Sequence, residues 1–402
     1  MWTKGLILLI LALTPQAIIG VEERSLEVVY EWKQLVYGFP TEQDRQDALA
    51  NGTLVEGTGV PIDVAPTSSR VFITIPRFEP GVPYTLATVS NTTEDDGPVV
   101  EPYPSYSWHN ANGGDCNRIT SAWRVAITEC NQMFVIDSGE VGTTQYCPPQ
   151  LLIFDLNNDT LLHRYKFDES LYTPSASLFI TPLVVVDDPP PTGSCQSYHV
   201  YFADVRYHGL VVYDSASDSA WRAENRFMYP HPEHGIHTIA NESFQLMDGM
   251  FALSADDSQL YFHPLASGSE YAISLSALNN RTIWDADADS IPDEFQLIAN
   301  RSSGCGAEAI DSQSNLYCVS FNPIALSLLP LKNDAVSEIA VSVEESLLEF
   351  VSGIKVFNGT GEEELWMNSN RFQKFMAGTM SASEVNYRIV KRQVDDIQAQ
   401  YN

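Results

Sequence analysis

Three imidazoles and a carboxylate fall within seven residues at His231-Pro-Glu-His234-Gly-Ile-His237. That spacing could hold a divalent transition metal if the side chains met. The segment is rich in Pro and Gly and reads as a loop between strands, so a solvated loop is expected and no metal is assigned. Asp285-Ala-Asp287-Ala-Asp289-Ser-Ile-Pro-Asp293 alternates carboxylates as calcium loops do. Ser290 and Gln296 stand where the EF-hand form needs Gly and Glu, and an exposed acidic loop is expected. Asp137 and Asp204 end strand-like runs and are the carboxylates best placed to face a channel, although such residues more often cap turns. There is no G-x-S-x-G elbow, P-loop, H-E-x-x-H or dinucleotide fingerprint. Catalytic residues are therefore left unassigned, and no cofactor is expected.

Six cysteines offer a different chemistry. Cys305 and Cys318 flank the turn Asp311-Ser-Gln-Ser-Asn315 and could be bridged across a hairpin. Cys116, Cys130, Cys147 and Cys195 allow three pairings that spacing does not separate. Seven N-x-Ser/Thr sequons begin at Asn51, Asn91, Asn158, Asn241, Asn280, Asn300 and Asn358, most of them in expected loops.

The elements that must position these residues are short strands. In Trp123–Leu156, three apolar runs (Val125–Thr128, Met133–Ile136, Leu151–Phe154) alternate with a tight turn and a Gly/Thr/Pro loop. Such a unit cannot bury both of its faces alone. The same strand with a bulky residue recurs at Phe72, Phe134, Tyr201, Tyr261, Tyr317 and Trp366, at intervals of 62, 67, 60, 56 and 49 residues. A further strand often follows, at Tyr84–Val89, Gln150–Phe154, Gly209–Tyr213 and Tyr271–Leu275. Repeats of this length built from short strands predict an all-β, six-bladed β-propeller. The bulky residues would pack between blades, and the innermost strands would line a central channel. Val28–Tyr37 is expected to complete the last blade. Gly38–Pro66 and Asn91–Asp115 read as loops, and the proline run within Asp187–Gly193 as an exposed turn.

Domain boundaries follow from composition. Lys4 precedes an apolar run, Gly5–Leu13, and small residues to Gly20, so residues 1–20 read as a secretory signal peptide. Residues 21–380 form the propeller, and 381–402, where the repeat fades, form a tail expected to be mobile; the dibasic Lys391-Arg392 there reads as incidental. No later run is apolar enough to span a membrane. Secretion agrees with the cysteines and sequons. With 52 acidic against 22 basic residues, the formal net charge of −30 repels phosphate backbones and argues against nucleic acid. The imbalance reads as a solubilising surface, or as attraction for cationic ligands or basic matrix proteins.

Trp123–Leu156, with ITEC, MFVIDSG and CPPQLLIFDL, resembles the signature of the insect Yellow and major royal jelly protein family. Collinear matches follow at VFITIPRFEPGVPYTL (71–86), VYFADVRYHGLVVYD (200–214), MDGMFALS (247–254), LYFHPLAS (260–267) and ELWMNSNRF (364–372). The resemblance implies the same six-bladed propeller. It also implies a Cys130–Cys195 bond and, with it, Cys116–Cys147. The family's amine-binding members imply a ligand site at Ser352, Asn370 and Phe372, where a hydroxyl and an amide would orient a ligand stacked on a ring. Gly353 stands where those members carry an Asp. Three functions follow as expectations. One is a secreted binder of a small aromatic amine or catechol at the channel mouth, serving pigmentation or the hardening of cuticle or eggshell. The others are a dopachrome-converting enzyme of the melanin pathway and a purely structural covering protein with matrix or eggshell partners.

Overall fold

The computed structural model describes residues 26–333, 336–359 and 361–399; the proposed signal peptide lies outside them. Six sheets of four or five strands stand around one axis. From the axis outward, blade 1 contains Asp63–Pro66, Val71–Thr74, Leu86–Glu94 and Gly97–Pro102, with Val36–Tyr37 added in parallel at its edge. Blade 2 contains Ala122–Ile127, Gln132–Asp137, Gln150–Asp155 and Thr160–Lys166. Blade 3 contains Phe179–Val186, Tyr198–Asp204, Gly209–Asp214 and Ser219–Glu224. Blade 4 contains Met250–Ala255, Gln259–Pro264, Ser269–Ser274 and Gln296–Asn300. Blade 5 contains Cys305–Ile310, Asn315–Phe321, Ile324–Pro330 and Ile339–Ser342. Blade 6 contains Phe350–Phe357, Glu364–Asn370, Tyr387–Gln393 and, outermost, Glu27–Trp32. Each innermost strand touches the next, and Phe350–Phe357 returns to Asp63–Pro66.

The burial of each strand explains its sequence. Second strands are covered on both faces by neighbouring blades, so they carry large apolar residues on both faces; Asn315–Phe321 is buried throughout. An outer strand such as Thr160–Lys166 keeps exposed and half-exposed positions and is correspondingly polar. The bulky repeat residues fill the seams between blades. Phe72 packs with Val125, Met133 and Val135, Phe134 with Val200 and Phe202, and Tyr201 with Leu253 and Leu260. Tyr261 packs with Leu316 and Leu329 of blade 5.

Several expectations change. Gly38–Pro66 is not wholly loop: it holds the helix Glu42–Ala50, capped by Thr41 through Asp44 N–H, and the innermost strand of blade 1. Asn91–Asp115 begins with the end of a long hairpin, Leu86–Glu94 against Gly97–Pro102. The expected tail from Ser381 enters the propeller. Tyr387–Gln393 lies between Glu364–Asn370 and Glu27–Trp32, with Arg392 buried and Lys391 Nζ 2.9 Å from Glu364 Oε1. Its alternation of charged and apolar residues suits a strand with one covered face, which the fading repeat pattern obscured.

All six cysteines are bonded: Cys116–Cys147, Cys130–Cys195 and Cys305–Cys318. Cys130 follows the inner strand of blade 2 and Cys195 the inner strand of blade 3, so their bond staples adjacent blades. Among the described residues no helix is long and apolar enough to cross a membrane.

Candidate functional site

Arg124, from the innermost strand of blade 2, closes the central channel. It is buried, although a guanidinium among apolar residues is costly unless its donors are met. Its Nε and Nη2 donate to Ser352 O at 3.1 and 2.8 Å, and Nη1 donates to Thr181 Oγ1 at 2.9 Å. Its other face covers the Phe251 ring. Burial lowers its pKa to about 10, against the raising charges of Asp63 and Asp248, so it stays a cation at neutral pH. Two cavities meet at this plug. On one side the inner strands line a polar funnel of about 430 Å³ that includes Glu308 and Lys355. On the other lies a cup of about 170 Å³ walled by Phe78, Trp123, Phe251, Phe350 and Phe372.

Each wall of the cup belongs to an inner strand or to a loop on the same side of the ring. Trp123, Phe251 and Phe350 lie near the starts of inner strands, and the Trp123 indole is fixed by donation to Ser138 Oγ at 3.1 Å. Phe78 follows the second strand of blade 1, and Phe372 opens the helix Phe372–Ala377 after the second strand of blade 6. These rings brace one another, with centroids 5.1 Å apart for Phe78–Trp123, 5.5 Å for Phe78–Phe372 and 5.2 Å for Phe350–Phe372. The charged groups of the cup are Arg124, Arg206 and Asp248. Arg206 is held by Glu140, Nη1 to Oε2 2.9 Å. Asp248 is half-buried; burial pushes its carboxyl up to about 6, against the pull of Arg206 and Arg124. The cup thus joins an aromatic wall, an anion that titrates near neutrality and two cations. A ring flanked by an amine or by hydroxyls would find complementary groups there.

The three residues named from the sequence divide. Phe372 and Ser352 line the cup, whereas Asn370 does not. Ser352 Oγ donates to Ile62 O at 2.8 Å and accepts from the amides of Asn368 and Asn370 at 3.0 and 2.9 Å. Asn370 Nδ2 also donates to Pro61 O, and its Oδ1 accepts from Phe372 N. The hydroxyl and amide are engaged within the fold, where they set the position of Phe372. Sequence reading missed Arg124 and Asp248. A charged residue inside a strand between Trp123 and Val125 was a usable signal for the first. Asp248 has none beyond its place just before an inner strand, because only the closed ring brings it to the cup.

The remaining carboxylates and histidines do other work. Asp137 is fully buried and accepts from Thr120 N, Ser121 N, Gly139 N and Gln150 Nε2 at 2.6–3.0 Å. Asp204 accepts from Leu178 N, Tyr207 N and Arg222. Both fasten strand ends rather than facing the channel. Asp285 pairs with Arg281 at 3.1 Å and Asp287 caps Asp289 N, as in an ordinary acidic loop. Between blades 4 and 5, His263 Nδ1 stands 3.1 Å from Glu270 Oε2 and 2.9 Å from Glu308 Oε2, and its Nε2 stands 2.9 Å from Gly306 O. Both ring nitrogens face acceptors, so both carry hydrogens and neither keeps a lone pair for a metal. Burial works against the imidazolium, but Glu270 and Glu308 outweigh it and raise His263 to about 10. Arg301 reaches Glu270 at 2.7 Å.

Fold and cavity define a class: a six-bladed β-propeller whose axial channel is plugged by one arginine beneath an aromatic cup. Residues 120–401 match the family model described as Major royal jelly protein, and the chain belongs to that family. Major royal jelly protein 9 of Apis mellifera is 31% identical over 389 residues, covering 92% of this chain and 88% of that protein. Dopaminechrome tautomerase of Drosophila melanogaster is 29% identical over 399 residues, covering 93% and 83%. Protein yellow of Drosophila melanogaster is 29% identical over 408 residues, covering 96% and 72%.

Proposed function

We propose that this chain is a secreted glycoprotein that binds a small aromatic amine or catechol in the cup, and serves pigmentation or the hardening of cuticle or eggshell. The observation that carries the reading is Asp248 set among Phe78, Trp123, Phe251 and Phe372. An ionised carboxylate pairs with an ammonium, while the rings stack on an aromatic body. Size agrees: a cavity of about 150 Å³ admits a benzene ring, and the cup measures about 170 Å³. Asp248 also supplies the counter-charge that Gly353 cannot. Three disulfides and seven exposed sequon asparagines suit an extracellular protein. Matrix or eggshell proteins are the partners this role implies. Calorimetry with dopamine and serotonin tests the reading: saturable heat with either supports it, and no heat with both removes it.

A second reading is favoured by the same carboxyl. A group with a pKa of about 6 can take a proton from carbon and return one to oxygen near neutral pH, which is the balance of a tautomerisation. A relative named dopaminechrome tautomerase supports considering it. The decay of dopaminechrome colour decides: a rate no faster than buffer eliminates the enzyme and leaves the binder.

A further inference from the structure

The turn His231-Pro-Glu-His234 is separate from the rings of the cup. It folds as a single 3₁₀ turn, Pro232–His234, with His231 as its N-cap. In that helix, side chains three apart fall on one side, so His231 and His234 come together, their ring centroids 6.2 Å apart. The Glu233 carboxylate joins them: one donor atom from each of the three lies within 4.8 Å of the others. The helix ends at Gly235, and His237 belongs to the following strand, Ile236–Ile239. There it is buried, with Nε2 3.0 Å from Leu246 O, so the third imidazole of the motif is excluded.

The backbone of the turn is held in place. His231 N donates to Ala266 O at 2.7 Å, His234 N to His231 O at 2.9 Å, and Leu246 N to Gly235 O at 3.0 Å. Gly268 leaves the space beside His234 that a side chain would crowd, since a Cβ there would stand 3.2 Å from Cε1. His231 and His234 are half-buried and Glu233 is exposed, so an ion from solvent has access. In a tetrahedron with bonds of about 2.1 Å, donor atoms stand about 3.4 Å apart. Binding would draw the three donor atoms closer than the 4.8 Å within which they now stand. Two imidazoles and one carboxylate suit zinc or copper(II) and disfavour magnesium or calcium.

We propose that His231, Glu233 and His234 bind one divalent transition-metal ion, zinc foremost, with at least one coordination position open to solvent. The test is competition between the full mature chain and a fluorescent zinc chelator, using zinc chloride as the probe. The wild type should take up one equivalent, and the double variant H231A/H234A should lose at least about tenfold in affinity. E233Q should weaken uptake while keeping the imidazoles. Cooperative thermal unfolding in EDTA would confirm that the variants are folded. Copper(II) loading gives a second readout that needs no folding comparison: the wild-type electron paramagnetic resonance spectrum should show nitrogen coupling from two imidazoles. Zinc curves that coincide for wild type and double variant, or a copper spectrum with no nitrogen coupling, would overturn the assignment.

Discussion

The guanidinium carbon of Arg124 sits 4.5 Å from the centroid of the Phe251 ring, so a side chain of blade 2 lies over one of blade 4 at the axis of the ring. Through Thr181 and Ser352 the same guanidinium also holds blades 3 and 6. Arg124→Ala should therefore strip donors from two acceptors and open the cup to the funnel. We expect a loss of about 2–4 kcal/mol, the cost of leaving a pair of buried polar groups unmet. Urea unfolding measures it, and a midpoint equal to wild type would contradict the role given to this residue.

Asp248 makes amine binding depend on pH in a stated direction. The carboxylate attracts an ammonium only when ionised, and its pKa is about 6. Affinity for dopamine should hold above pH 7 and fall by up to about tenfold for each pH unit below 6, as the charge is lost. Asp248→Asn should bind weakly at every pH and show no such slope. A wild-type affinity that is level between pH 5 and 8 would exclude this pairing.

Asn370 should behave as a positioning residue. Its amide ties Pro61 O and Ser352 Oγ together, and its carbonyl receives Phe372 N. Asn370→Ala should cost about 1–3 kcal/mol of stability through the groups it leaves unpaired. Phe372→Leu should instead weaken ligand binding more than it lowers the melting temperature. Calorimetry beside thermal unfolding separates the two variants.

The His263 cluster predicts alkaline sensitivity. Glu270 and Glu308 raise the folded-state pKa of His263 from 6.5 to about 10. A group raised in this way contributes stability that is fully present below pH 6.5 and is lost as pH climbs through 10. Wild-type stability should decline across that window. His263→Gln should remove this decline and lower stability near pH 6 by about 1–3 kcal/mol, because Glu270 is left with Arg301 alone and buried Glu308 loses its charged partner. Melting temperatures at pH 6, 8 and 10 provide the comparison.

A chain ending at Asn386 should fail to fold. It would lack Tyr387–Gln393, which carries hydrogen bonds to strands on both sides. Circular dichroism of the truncated protein checks this, and a wild-type β signal with cooperative melting would refute it.

The architecture was legible because Phe72, Phe134, Tyr201, Tyr261, Tyr317 and Trp366 all occupy second strands, where cover on both faces demands large apolar side chains. Asp63–Pro66 escaped notice because four residues ending in proline look like loop; only closure of the ring makes them an inner strand. The site was harder to read for a related reason. Ser352 and Asn370 are polar and lie near the cup, but their hydrogen-bonding capacity is spent inside the fold, which residue type does not reveal. Asp248 and Arg124 are 124 positions apart in the chain and share a cavity only through the arrangement of the blades. The histidine motif was correctly placed between blades, but its helical turn was invisible, and that turn is what separates two of its imidazoles from the third.

The last sheet borrows its outermost strand from residues 27–32 and takes the other three from 350–393. During synthesis the borrowed strand must wait, unpaired, until nearly every later residue has left the ribosome, so the early product carries an unpaired strand that chaperones would have to shield. The same arrangement leaves the beginning and end of the ring side by side. Joining them with a short linker and cutting between two other blades should yield a circular permutant with the same cup.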